Sequence, residues 1–227
     1  MDGGTIIGVI MNDKPYRQLA DFKNAHPGKW AYVFGKGPSL DLFDAPPNGD
    51  VRICINESCL VVDSPDYAFT HHHDIAEKMA GSAAILFLHR TKIPVPGSID
   101  RTRVVVYEKA QCGLENSPNR RLTDLAMRVL SRTRDQIASG GVLYGTSGTV
   151  HSALHFAWLC GIVGVRLVGF DPQVRGYAES VMPQCSCTAG GPAVLQIIYD
   201  DIYTEAEALG LCIVNEGERL LKQKAGD

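Results

Sequence analysis

No run of apolar residues reaches the roughly 18–20 that a membrane-spanning helix needs. Nor is positive charge in excess: 22 Lys and Arg stand against 25 Asp and Glu in 227 residues, a formal net charge of -3. The first lack argues against a spanning helix. The second makes nucleic acid an unexpected partner, although a local basic face stays compatible with a neutral total. The start of the chain, MDGGTIIGVIMNDKPYRQ, has a short apolar stretch but no basic leader and no clear small-residue cleavage site. No signal peptide is predicted from it.

A disulfide framework is also missing. The seven cysteines (Cys54, Cys59, Cys112, Cys160, Cys185, Cys187 and Cys212) are odd in number, and several sit in apolar runs such as VRICIN and LCIV. A buried free thiol behaves as a small hydrophobe, so a reducing, cytoplasmic compartment is expected. Cys185-Ser186-Cys187 has a spacing that can bind metal, but no second pair stands near it, and a loop with two free thiols is predicted. There is no internal repeat and no low-complexity linker. With 45% hydrophobic and 21% charged residues, composition is that of an ordinary soluble globular chain able to bury a core. One domain over residues 1–227 is predicted, its core at about 30–217.

What is present is a series of short β-branched and apolar runs. They are Trp30–Phe34, Val51–Ile55, Tyr67–Thr70, Ala83–Leu88, Val104–Tyr107, Val165–Val168 and Cys212–Val214. Continuous apolar runs of this kind mark strands covered on both faces. Helical spacing appears over Arg121–Ile137, Thr149–Cys160 and Pro192–Leu209, the second followed by Gly161 and the third by Gly210. Alternating strands and helices imply an α/β fold: a Rossmann-like domain with a mostly parallel sheet of about six or seven strands and helices on both faces. In such sheets ligands bind beyond the carboxyl ends of the strands, near a topological switch point.

Attention therefore falls on the residues after each strand. Gly35-Lys36-Gly37-Pro38-Ser39 follows the first. Glycines allow close backbone approach, and free amides there form an anion nest to which Lys36 and Ser39 add donors. The spacing is neither a P-loop nor GxGxxG, since Leu40 stands where a small residue would help. Asn56-Glu57 follows the second strand, and Asn56 suits a ribose or base. Gly145-Thr146-Ser147-Gly148-Thr149 opens an apolar helix whose positive end suits phosphate. Asp171 and Pro172 end the VRLV strand, with Tyr177 in the loop beyond.

Thr70-His71-His72-His73-Asp74 is the densest polar cluster. Side chains alternate along an extended chain, so His71 and His73 are expected to share a face. With Asp74 they suit a divalent metal, or one His suits general acid–base work near neutral pH. His151 and His155, spaced i,i+4 among apolar neighbours, are predicted to be a core or cleft pair.

The order of these motifs (GKGPSL, a strand-end Asn, PDYAFTHHHD, GTSGTVHSALHFAWLCG, VRLVGFDP, then Tyr177) resembles small bacterial CMP-sialic-acid-dependent sialyltransferases. It also resembles the related superfamily of motility accessory factors and 6-hydroxymethylpterin diphosphokinase-like proteins. The resemblance implies a nucleotide-dependent transferase, most concretely a glycosyltransferase with a CMP-activated sugar donor and an unidentified acceptor. It implies donor contacts from Gly35, Lys36, Gly37, Pro38, Ser39, Asn56, Thr146, Ser147, Gly148 and Asp171. It implies that Tyr177 assists the departing phosphate. Those enzymes carry a catalytic histidine before the last long helix, where this chain reads MPQCSCTAGGPAV, and a tyrosine where it has Gln173. His73, with Asp74, is the expected replacement. In this reading no metal is required. The diphosphokinase branch would use ATP and Mg²⁺, with Asp74 and Asp171 as ligands. A non-catalytic nucleotide-binding protein is the third alternative, and a homo-oligomer is compatible with all of them.

Overall fold

Side chains along the predicted strands alternate between two buried faces. Ala31, Val33, Ile53, Phe69, Phe87, Val105 and Tyr107 enter one apolar cluster, while Tyr32, Phe34, Cys54, Ala68, Leu86 and Leu88 enter a second. A sheet buried on both sides needs no polar face, which is why these strands read as unbroken apolar runs. In the computed structural model, which describes residues 16–44, 49–90, 95–110, 132–144, 148–185 and 192–226, they form a single eight-stranded sheet. The strands are β1 (Trp30–Phe34), β2 (Val51–Ile55), β3 (Tyr67–Thr70), β4 (Ile85–His89), β5 (Val104–Ala110), β6 (Val142–Tyr144), β7 (Gly164–Val168) and β8 (Cys212–Asn215). The order is β6-β5-β4-β3-β2-β1-β7-β8, and every neighbouring pair is parallel.

The α/β Rossmann-like architecture is thus as expected, with one strand more. The extra strand is β6, whose three residues are too few to show a period. It is held by pairing Glu108 with Val142 and Lys109 with Leu143. The chain leaves β1 toward β2 on one side and returns at β7 on the other. The switch point lies between β1 and β7, at the end of the Trp30–Phe34 run.

Among the described residues five helices flank the sheet: α1 (His73–Met79), α2 (Arg134–Gly140), α3 (Thr149–Leu159), α4 (Pro192–Ala208) and α5 (Glu216–Ala225). Helix α3 explains its own composition, because Trp158 alone of its residues is not buried. It packs Phe156 on Phe87 and Phe69, with ring centroids 4.5 and 5.4 Å apart. This fixes the amino end of α3 above the strand ends. The helix expected over Arg121–Ile137 is corrected where it can be compared. Residues 121–131 lie outside the described residues, and Thr133 is a cap, its side chain accepting from Gln136 N while the Gln136 side chain accepts from Thr133 N. Helices α1 and α5 were not anticipated. The histidine run is where α1 starts, and Asn215 caps α5 by accepting from Glu218 N at 3.1 Å.

Cys54, Cys59 and Cys160 are buried free thiols, and burial pushes Cys59 up to about 12. Cys212 departs from expectation: it is exposed because β8 is an edge strand. Cys112 and Cys187 lie outside the described residues. Among the described residues no helix is long and apolar enough to cross a membrane.

One core group sets a pH response. The His155 Nδ1 accepts the Tyr144 amide at 2.5 Å, so the ring is neutral, and burial pushes its pKa from 6.5 down to about 3. Below the unfolded value the unfolded chain takes up a proton that the fold refuses. Stability is therefore lost as pH falls from 6.5 toward 3. Urea unfolding is expected to show about 2 kcal/mol lost to this group between pH 8 and pH 5, at roughly 1.4 kcal/mol per unit below its unfolded pKa. His155→Gln should remove that portion of the slope. An unchanged slope in the variant would show that His155 is not the group responsible.

Candidate functional site

The turns after β1 and β7 lie backbone against backbone. Phe34 pairs with Val168 at the end of the ladder. Beyond it Gly35 N donates to Val168 O and Gly37 N to Gly169 O, each at 2.7 Å. A Cβ at Gly35 would stand 2.5 Å from Gly169 O, and one at Gly37 would stand 2.4 Å from Asp171 Oδ2. Gly169 adopts φ +75 and a Cβ there would meet Gly35 C at 2.8 Å. These glycines are required by one another.

This changes the meaning of the turn. The Gly35 and Gly37 amides are spent on protein carbonyls, Pro38 has no N–H, and Ser39 N donates to Asp171 Oδ2 at 2.7 Å. Ser39 Oγ accepts from Gly169 N at 2.8 Å, and Ser39 is fully buried. An anion nest of successive open amides is not formed there. The turn serves as a frame for what surrounds it.

A cavity of about 300 Å³ opens at this switch point. Gly35, Lys36 and Gly37 line it from β1, Ile55 and Asn56 from β2, and Gly169 to Pro172 from β7. Gly148, Thr149 and Val150 close it at the amino end of α3, Tyr199 and Ile202 at α4, and Gly176 and Tyr177 from the loop after β7. Pro38 and Ser39 do not reach it. Thr146 and Ser147, expected to hold phosphate, lie outside the described residues. A wider depression of about 540 Å³, between Tyr16, Arg17 and Arg103, lies at the opposite edge of the sheet. It has neither the switch-point geometry nor the buried polar atoms of the smaller cavity.

Asn56 sits at φ +55, in the left-handed region that a non-glycine residue rarely adopts. Its Oδ1 is buried with no hydrogen-bond partner among the described residues. Strain of this kind persists where surrounding structure enforces it, and it gathers at functional sites. Beside it, Glu57 is fully buried and its Oε2 lies 2.9 Å from Lys36 Nζ, whose side chain is 12% exposed. Burial pulls the Lys36 pKa down, but the Glu57 carboxylate more than reverses this and holds it above the ordinary lysine value. The Lys36 ammonium also lies 4.4 Å from the Tyr177 ring centroid. Ala178 N donates to Lys36 O at 2.8 Å, which fastens the Tyr177 loop to the β1 turn.

Asp171 braces three elements. Its Oδ2 receives Ser39 N, while its buried Oδ1 has no hydrogen-bond partner among the described residues and lies 2.6 Å from where a Cβ on Gly217, in the first turn of α5, would stand. Burial raises its pKa above the usual carboxylate value, against the Ser39 hydrogen bonds that lower it.

The histidine run divides. Tyr67, Phe69 and His71 share the face toward α3, and His71 Nε2 is 2.8 Å from Tyr107 Oη. His72 lines the cavity. His73 begins α1, where its side chain is 47% exposed and its Nδ1 faces Glu77 Oε1 at 3.8 Å. The expected alternation of His71 and His73 fails because the extended chain ends at His72. Neither His73 nor Asp74 is among the cavity-lining residues, so the structure does not bring them to Tyr177 and Asp171. Among the described residues no three His, Cys, Asp or Glu are grouped to hold a metal. His151 and His155 are both core residues; the first pairs with buried Glu205, whose pKa burial raises against the pull of His151.

Sequence reasoning passed over Glu57, His72 and Tyr199. Glu57 was visible as the neighbour of Asn56, and His72 as the middle of its run; Tyr199, on a helix, carried no signal. No family model and no curated protein matches the chain.

Replacing Lys36 with Met removes the cation that faces the buried Glu57 carboxyl, and is expected to cost about 3–5 kcal/mol in urea unfolding. The double variant Lys36→Met/Glu57→Leu should recover at least half of this. Additive costs in the two single variants would refute the coupling.

Proposed function

We propose that this chain is a nucleotide-dependent transferase whose donor is a CMP-activated sugar. The observation that carries this is the convergence on one switch-point cavity of a strained Asn56 with an unpartnered buried oxygen, the Lys36–Tyr177 pair and the amino end of α3. At about 300 Å³ the cavity falls at the lower end of the size range for small-ligand sites.

In this reading Asn56 binds the nucleoside, its side chain exchanging a strained solitary state for hydrogen bonds to base or ribose. The phosphate lies against Gly148, Thr149 and Val150, where the first turn of α3 presents amides and a positive dipole end. Thr146 and Ser147 belong to the same stretch of sequence and are assigned to the phosphate with it. Tyr177 donates its phenolic hydrogen to the phosphate oxygen that takes up charge as the sugar departs, and Lys36 beneath the ring supports that charge. Asp171 and the glycine turn hold the frame, so Gly35, Gly37 and Ser39 act on the nucleotide through geometry. The diphosphokinase alternative needs two carboxylates at one place; Asp171 lines the cavity, and Asp74 does not.

Calorimetry across CMP, UDP, GDP and ATP, with and without Mg²⁺, tests this. CMP is expected to bind most tightly and without Mg²⁺. Asn56→Ala should weaken it by about 1–3 kcal/mol, the cost of lost buried hydrogen bonds. Tyr177→Phe should leave CMP affinity within about threefold and slow donor hydrolysis by about 10²-fold or more. ATP binding that needs Mg²⁺ would favour the diphosphokinase reading, and no binding at all would end the proposal.

A further inference from the structure

Two of the three adjacent histidines are engaged by the elements around them. His71 Nε2 is 2.8 Å from Tyr107 Oη, and His73 Nδ1 faces Glu77 Oε1 at 3.8 Å on α1. His72 differs. Its side chain is exposed, lines the switch-point cavity, and makes no hydrogen bond or ion pair among the described residues. Its backbone, in contrast, is held on both sides. The His72 amide donates to Thr70 Oγ1 at 3.1 Å, and its carbonyl accepts from Ala76 N at 3.1 Å. Thr70 and Ala76 are both fully buried. The imidazole is therefore presented to the cavity from a backbone anchored between β3 and α1.

The other titratable side chains that line the cavity are Lys36, Asp171, Tyr177 and Tyr199. None of them is placed to take up a proton from a substrate. Lys36 is held as an ammonium by Glu57 at 2.9 Å. Asp171 spends Oδ2 on Ser39 N and keeps Oδ1 buried. Tyr177 stands over the Lys36 ammonium at 4.4 Å, which suits a proton donor. Tyr199 Oη accepts from Asn215 Nδ2 at 2.5 Å and lies 2.7 Å from Tyr203 Oη, and burial holds this phenol above its ordinary pKa. An imidazole can take up and release a proton near neutral pH. His72 is the one imidazole on the cavity wall among the described residues. It also stands on the opposite side from Tyr177: His72 follows β3 and Tyr177 follows β7, with β2 and β1 between them. A displacement at carbon needs its entering and leaving oxygens on opposite sides of that carbon.

We infer that His72 is the general base for a hydroxyl-bearing acceptor that enters the switch-point cavity from its β3 side. The inference rests on the nucleotide-sugar reading above and gives it the acceptor side it lacks. The neutral ring takes the acceptor hydroxyl proton on a ring nitrogen. The acceptor oxygen forms the new bond to the anomeric carbon. The bond from that carbon to the phosphate oxygen breaks, its electron pair leaving with CMP. The imidazolium, being exposed, then returns its proton to water.

The test uses the full chain with two probes: CMP for binding, and CMP-N-acetylneuraminate for hydrolysis, with water as the acceptor. His72→Ala should fold normally, because the side chain it removes is exposed. It should bind CMP within about threefold of the unaltered protein, since no hydrogen bond to the nucleotide is lost. Hydrolysis should fall by about 10²-fold or more, the range for a lost general base. Added imidazole should restore rate to His72→Ala and leave the unaltered protein unchanged, which a purely structural role would not produce. A His72→Ala protein that hydrolyses the donor at the unaltered rate overturns the assignment. So does a lost rate that imidazole does not restore, and so does an unaltered protein that binds CMP without hydrolysing the donor. Absent CMP binding removes the underlying nucleotide reading instead, which calorimetry distinguishes.

Discussion

Gly37 N donates to Gly169 O, and Gly35 N to Val168 O, so two strand-end turns that are remote in sequence touch without side chains between them. Everything at the carboxyl edge of the sheet is arranged around this contact. It continues the β1–β7 ladder past the strands, and it happens at the switch point, where the chain reverses its direction of travel across the sheet. Ser39 and Asp171 fasten it from the sides. Because the turns are locked, Lys36 projects from a fixed backbone toward Glu57, and the Tyr177 loop is tied back onto the same turn. The cavity is the space left between this lock, the end of β2 and the first turn of α3.

The site holds polar groups that burial makes costly. Glu57 is inaccessible to solvent yet paired with Lys36; Asp171 carries one buried oxygen with no hydrogen-bond partner among the described residues; Asn56 is held in a strained backbone state with its own oxygen likewise without a partner among them. Such groups weaken a fold unless something repays them, and a ligand that supplies hydrogen bonds does so on binding. The stable part of the molecule lies one layer below, where Phe69, Phe87 and Phe156 pack face and edge.

The strands were legible because each is a dense apolar run covered on both faces; β6 escaped because three residues carry no period. Helices α3 and α4 were legible from apolar spacing and following glycines, whereas α1 was hidden inside a histidine run that read as extended chain. The positions of Asn56, Lys36, Asp171 and Tyr177 beside one cavity follow from the rule that ligands gather at strand ends. The roles within the glycine turn did not follow, since sequence cannot tell an amide open to a ligand from one bound to a neighbouring carbonyl. The Gly35–Gly169 pairing is 134 residues long-range and is written only in the strand order. The same limit applied to the histidines: which of three adjacent rings faces the cavity depends on where the extended chain becomes helix.

A crystal structure of the full chain with CMP bears most directly on whether this locked switch point holds a nucleotide. The account predicts the phosphate against Gly148, Thr149 and Val150 near Tyr177, with base or ribose within about 3 Å of the Asn56 side chain, a normal hydrogen-bond distance. CMP seated instead in the depression beside Tyr16 and Arg103, with the cavity at Asn56 left empty, would contradict it.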